Sequence, residues 1–318
     1  MSETASKSAA KPLVSTDLLR VRHVTRYRYK RPVKFGPHHA MFRPHESNDL
    51  RLLDFDFKTY PASSLTWVHD VFSNSTLVFH FSEASEVLEI ECAFSVVRST
   101  VYEPVFPIEK FARRYPFDYP QDQVIDLKAT MTPEYDDPDG CVYWWAEKFP
   151  IHANGDTWAI LTALNSAIRD NFSYVRREEP GVQSPAETIG MGQGSCRDFA
   201  VLFIEAARRL GFAARFVTGY LYDPRIDAKG AFAAPDDETL SGAGSTHAWA
   251  QIFLPGAGWI EFDPTNGLIA HGNLIRTGVA RTPSQAAPLT GSFEGDPNDF
   301  LGMDVEVAVT SLAPTLKD

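Results

Sequence analysis

Between Thr246 and Asp263 the chain reads T-H-A-W-A-Q-I-F-L, then P-G-A, then G-W-I-E-F-D. Two alternating runs across a proline–glycine break leave few options other than a β-hairpin, each strand showing one apolar face. A turn centred on Pro255 sets His247 against Asp263, Trp249 against Glu261, Gln251 against Trp259 and Phe253 against Ala257. The other face is then Ala248 with Phe262, Ala250 with Ile260 and Ile252 with Gly258, apolar throughout, with small residues opposite large ones. A turn centred between Gly256 and Ala257 would pair His247 with Asn266 and carry Asp263 to the apolar face. An unpaired carboxylate there is costly, which favours the first register. Opposed Cβ atoms lie ~4.5–5.5 Å apart, so Asp263 is expected within hydrogen-bonding reach of the imidazole.

A second stretch, Met191–Ile204, reads M-G-Q-G-S-C-R-D-F-A-V-L-F-I. Phe199, Leu202, Phe203, Ala206 and Leu210 repeat as one helical stripe, and Gly211 is a natural stop. Cys196 would then begin the helix among unpaired N–H groups at the positive end of its dipole, a setting that favours a thiolate. Gly190, Gly192 and Gly194 suggest a phosphate loop only superficially: the required spacing, the lysine and a preceding strand are absent. Position alone leaves a buried structural cysteine open. A reactive thiol needs a histidine base held by a carboxylate or amide, and the hairpin supplies that pair. Whether Cys196 meets His247 is a tertiary question.

Elsewhere the chain divides by pattern. Residues 1–15 look like a disordered tail and 16–105 like an antiparallel β-sandwich or barrel, with clear strands at 65–71, 75–81 and 87–97. Cys92 shares the core face of the last with Leu88, Ile90, Phe94 and Val96. The basic run 20–31 alternates with apolar residues as a solvated strand face does. Residues 106–150, dense in proline, suggest a linker segment with one short helix. Residues 151–318 form the core with a C-terminal extension: a helix at 156–172, the cysteine helix, strands at 213–222, 246–254 and 259–263, loop from 268 to about 298, and a strand at 303–309.

A net charge of -11 argues against a nucleic-acid groove. No apolar run is long enough to span a membrane and none resembles a signal peptide. Three cysteines without a disulfide pattern fit a reducing cytoplasm. The five histidines of the N-terminal region match no metal template, and no cofactor or metal is expected. Asp236, Asp237 and Glu238 form an acidic loop best explained as solvated.

At Gly194-S-C-R-D-F-Ala200, Arg215-F-V-T-G-Y-Leu221, Ser245-T-H-A-W-A-Q-I-F-Leu254 and Gly258-W-I-E-F-D-P-T-Asn266 the chain resembles the bacterial transglutaminase-like superfamily. The β-rich N-terminal region and the stretch 282–293 are similar to parts flanking that core in bacterial members. The resemblance implies an α+β, papain-like core with a Cys196–His247–Asp263 triad acting on a protein or peptide substrate. It places Asp198 at the family's Cys-x-Asp position, where a structural hydrogen bond is the favoured reading. Tyr174 falls at an aromatic position whose hydroxyl could hold an oxyanion, and Trp249 and Trp259 would flank the cleft, although packing explains all three. Arg197 stands where many relatives carry glutamine, which bears on substrate preference. The implied activity is acyl transfer through a thioester, with hydrolysis expected over transfer to an amine. The alternative is a non-catalytic scaffold retaining the fold.

Overall fold

A computed structural model of the chain describes residues 14–101, 105–177, 181–229, 239–270 and 272–312. The alternating N-terminal runs become β1 (Val14–Phe35), β2 (His38–Ala40), β3 (Leu50–Tyr60), β4 (Ser63–His69), β5 (Ser75–Phe81) and β6 (Ser85–Val101). Sheet β1-β6-β3 and sheet β2-β5-β4 are both antiparallel. Leu19, Val21, Phe79, Leu88, Ile90 and Phe94 pack between them, so the region is a sandwich and closes no barrel. Cys92 lies fully buried in that core, and desolvation pushes its thiol pKa up. The basic face of β1 is the outer one: Arg22, Arg26 and Arg28 pair with Glu91, Glu89 and Asp304.

The proline-dense connection is more helical than its composition suggests. It holds a 3-10 turn at Lys110–Arg113, then α1 (Gln121–Met131), α2 (Cys141–Ala146) and α3 (Lys148–His152). Pro120 sits just before α1 and starts the helix rather than breaking one, and the Asp137 carboxylate accepts the first N–H groups of α2.

The core follows: α4 (Thr157–Asn171), β7 (Ser173–Tyr174), α5 (Pro185–Met191), β8 (Gln193–Gly194), α6 (Cys196–Arg209), β9 (Ala214–Leu221), α7 (Pro224–Lys229), β10 (Thr246–Leu254), β11 (Gly258–Asp263), β12 (Leu268–Ile269) and β13 (Leu274–Ala280). Antiparallel pairing in the order β12-β11-β10-β9-β13 builds one sheet. Helix α6 packs its apolar stripe on Ala248, Ala250, Ile252, Ile260 and Phe262, the apolar face expected of the hairpin.

The hairpin register differs from expectation by two residues. Ala250 pairs with Phe262, Ile252 with Ile260 and Leu254 with Gly258, so the turn centres on Gly256 rather than Pro255. Pro255 and Gly256 occupy the middle of a four-residue turn closed by Ala257 N–H to the Leu254 carbonyl, with Gly256 at φ 84°. A two-residue slip preserves which side chains share a face, which is why the apolar face survived.

Strand β13 lies where loop was expected. Arg276, Thr277 and Gly278 break its alternation, and a bulge between Arg276 and Gly278 accommodates them. The last elements, β14 (Leu289–Thr290), β15 (Phe293–Glu294) and β16 (Phe300–Ser311), leave the core and return to the sandwich. β14 pairs with β2, while β15 and β16 pair with β1. The chain end expected to extend the core therefore completes the N-terminal region, whose first described strand begins inside the expected tail, at Val14.

His23 of β1 ties the two regions together: Nδ1 lies 2.9 Å from the Tyr220 hydroxyl and Nε2 3.1 Å from Thr25 Oγ1. Its pKa is pushed down to about 4 by burial. Tyr220 is next to Gly219, the residue that pairs with His247 across β9 and β10.

Candidate active site

Cys196 is the first residue of α6, and Ser195 before it is the extended N-cap. Asp198, fully buried, accepts the Ser195 N–H and hydroxyl, each at 2.8 Å, the Gln183 N–H at 2.7 Å, and Arg177 Nη1 at 2.8 and 2.9 Å. Every one of these bonds fastens backbone or loop to the helix start, so Asp198 holds the segment that presents the thiol. Gly194 is needed beside it, because an added Cβ would come within 2.9 Å of the Asp198 Cβ.

The short parallel pair β7–β8 sets Tyr174 alongside Gly194. Tyr174 packs against the core cluster that contains Cys196, and its hydroxyl pKa is pushed up by burial first and then by Cys196. Arg197 Nη2 donates to the Arg177 carbonyl at 3.1 Å.

His247 and Asp263 are diagonal rather than directly opposed, yet Nε2 and Oδ2 are 2.9 Å apart. Both residues lie on the same face, and diagonal neighbours remain within reach of longer side chains. Asp263 Oδ1 also accepts the N–H groups of Thr265 at 3.0 Å and Asn266 at 3.4 Å, and Oδ2 accepts Asn266 Nδ2 at 2.8 Å. Burial disfavours the charged imidazole. The Asp263 charge and hydrogen bond, together with the Cys196 thiol, outweigh it and raise the pKa to about 10. The other ring nitrogen, Nδ1, is buried and makes no hydrogen bond of ordinary geometry. Cys196, His247 and Asp263 are 7%, 1% and 0% exposed, so the only surface open to a reactant belongs almost entirely to the sulfur's residue.

The two tryptophans do not flank a cleft. Trp249 is fully buried and stacks on the imidazole, ring centroids 5.9 Å apart at 25°, packed among Val217 and Val279. Trp259 pairs with Phe253, six residues along β10 from His247, roughly 20 Å away at ~3.4 Å per residue. The Arg215 guanidinium covers its ring at 4.1 Å. The resemblance implied a cleft role for both, with packing as the alternative; the observed register and the neighbouring strands assign them to packing. The acidic stretch 236–238 lies outside the described residues. Two contributors went unread in the sequence, Asn266 and Gly242. Asn266 was marked only by its place three residues after Asp263, and Gly242 by nothing beyond being a loop glycine.

Residues 145–264, which include all three converging side chains, match the model of the Transglutaminase-like superfamily core, and residues 19–97 match that of the Bacterial transglutaminase-like N-terminal region. The chain therefore carries a transglutaminase-like core preceded by a bacterial transglutaminase-like N-terminal region. Among its relatives, an uncharacterized Mycobacterium tuberculosis protein is 25% identical over 323 residues, covering 96% of each chain. An uncharacterized Mycobacterium leprae protein is 31% identical over 155 residues, 49% of this chain and 50% of its own. The fold is similar to that in the crystal structure of a "putative cysteine protease" from Cytophaga hutchinsonii, with a TM-score of 0.66 and 18% identity, covering 96% of this chain and 95% of that one.

Proposed function

We propose that this protein is a cysteine-dependent acyl-transfer enzyme that opens amide or peptide bonds through a thioester and passes the acyl group to water in preference to an amine. The observation that carries this reading is the divided imidazole of His247: Nε2 is held by Asp263 at 2.9 Å, Nδ1 is buried without a hydrogen bond, and the Cys196 thiol is among the groups that raise the pKa of the ring.

In this mechanism Nδ1 takes the Cys196 proton, and the sulfur attacks the carbonyl carbon. The resulting oxyanion is met by N–H groups at the start of α6, with the Tyr174 hydroxyl beside them. As the intermediate collapses the C–N bond breaks, and Nδ1–H passes its proton to the departing amine. Water then gives a proton to Nδ1 and attacks the thioester carbon, and the C–S bond breaks to release a carboxylic acid. The sulfur leaves as the conjugate of the imidazolium, restoring the starting pair. An imidazole with its pKa raised to about 10 keeps that proton at neutral pH until the amine needs it. Water is favoured because the Cys196 residue is only 7% exposed, and it is the smallest acceptor that must reach the thioester.

Alkylation by iodoacetamide near neutral pH tests the reading. Cys196 should react faster than Cys92 or Cys141 and should slow in His247→Ala. Equal labelling of all three, unchanged by His247→Ala, would leave the non-catalytic scaffold. Peptides offered with water and a primary amine in competition, read by mass spectrometry, separate hydrolysis from transfer.

A further inference from the structure

One side chain outside the three assigned above touches both the carboxylate and a separate segment of chain. Asn266 donates from Nδ2 to Asp263 Oδ2 at 2.8 Å and to the Ser241 carbonyl at 3.1 Å, while its Oδ1 accepts the Ser241 N–H at 2.9 Å. The carboxamide thus grips the Ser241 residue through both its N–H and its C=O, and its remaining hydrogen serves Asp263. The adjoining residue lies against the base. A Cβ on Gly242 would stand 2.5 Å from His247 Nδ1, and the backbone there has φ +88°. The segment is pinned on either side, by Leu240 N–H to Asp223 Oδ2 at 2.7 Å and by Ser245 Oγ to the Gly242 carbonyl at 2.9 Å.

The geometry points to Asn266 as a positioning residue that couples the seating of Ser241 and Gly242 on the Nδ1 edge of His247 to the orientation of the Asp263 carboxylate. The inference rests on the acyl-transfer reading and deepens it. Oδ2 of Asp263 is shared between His247 Nε2 and Asn266 Nδ2, so losing the amide frees the carboxylate to turn away from the imidazole. The same loss releases Ser241 and lets Gly242 lift, opening to water the nitrogen that exchanges its proton with sulfur. Orientation and shielding therefore fail together, which a residue serving only the packing of the loop would not cause.

The test is the rate of Cys196 alkylation in the full chain across mildly acidic to mildly alkaline pH, for Asn266→Ala and Asn266→Asp. Truncation to alanine should slow alkylation at neutral pH about tenfold or more, the worth of one hydrogen bond to a charged group. In Asn266→Asp a second carboxylate faces Asp263 with no proton to donate, so the rate at neutral pH should fall at least as far. It should then recover as the pH drops and the introduced carboxyl gains a proton, its O–H replacing the lost N–H. The other titratable groups nearby, His247, Cys196, Tyr174 and Asp223, are the same in every variant, so the difference in profile belongs to position 266. The near-isosteric aspartate keeps the test decisive if the alanine chain does not fold. A folded variant with the wild-type rate and pH profile, or an aspartate variant with no acid recovery, overturns the assignment while leaving the enzyme reading intact. A wild-type Cys196 no more reactive than Cys141 overturns both.

Discussion

Among the described residues, two buried cysteine–histidine neighbourhoods invite comparison, one in the sandwich and one in the core. In the sandwich His23 and Cys92 are register partners on β1 and β6, 3% and 0% exposed. In the core His247 and Cys196 are 1% and 7% exposed. Burial is nearly equal, yet the two imidazoles go opposite ways, His23 down to about 4 and His247 up to about 10. The partners of His23 are the hydroxyls of Tyr220 and Thr25, which cannot repay the desolvation of a charge. His247 has a carboxylate. Burial sets the cost of charging a histidine, and the charge of its neighbour decides whether that cost is met.

The sharpest way to break this comparison is to remove the carboxylate. Under the proposed mechanism Asp263→Asn should lower kcat/KM by about three to four orders of magnitude, the scale seen when a catalytic histidine loses its orienting carboxylate. NMR titration should show the His247 pKa falling. A variant that keeps both its rate and its imidazole pKa would mean that Asp263 is not what separates the two neighbourhoods.

Gly242→Ala should come next in size. The added methyl meets Nδ1 and the backbone is strained at φ +88°, so the imidazole must move from Cys196. A displacement of about 1 Å in a reacting group is worth about a hundredfold in rate, read as kcat/KM with the fold checked by circular dichroism.

Stability should then show two opposite pH slopes. The unfolded chain binds a proton at His23 below pH 6.5 before the folded chain does, so stability falls as pH drops from about 6.5 to about 4, by about 3 kcal/mol in total. At His247 the folded state holds the proton more tightly. Its contribution is full below pH 6.5 and is lost as pH rises toward about 10. Urea midpoints measured across pH should lose the acid slope in His23→Gln and the alkaline slope in His247→Gln.

The smallest contrast separates the tryptophans. Trp249→Phe removes the plane stacked on His247 and should lower kcat/KM. Trp259→Phe, roughly 20 Å along the hairpin at ~3.4 Å per residue, should leave it unchanged. Equal effects would restore Trp259 to the cleft.

Much of this was legible because its causes are local. Period-two alternation marked β5, β6, β10 and β11, and the helical stripe after Cys196 marked α6. The pairing of His247 with Asp263 survived an error of two residues in register, since such a slip keeps odd-numbered side chains on one face. Strand β13 was hidden by Arg276, Thr277 and Gly278, whose interruption of the pattern becomes a bulge only when β9 lies beside it. Helix α1 was hidden in a proline-dense stretch where Pro120 starts the helix rather than stopping it.

By itself, then, the sequence determined the elements whose periodicity is unbroken, the face each presents to the core and the company His247 and Asp263 keep, because backbone sterics and apolar alternation act over a few residues. Tertiary structure decided the rest. It brought Cys196 and His247 into one neighbourhood, folded Gly242 and Asn266 around the imidazole and its carboxylate, sent β16 back to β1, and moved the pKa values of the two buried histidines in opposite directions. Those outcomes depend on contacts between residues far apart in the chain, and no local pattern encodes which distant group will supply the charge.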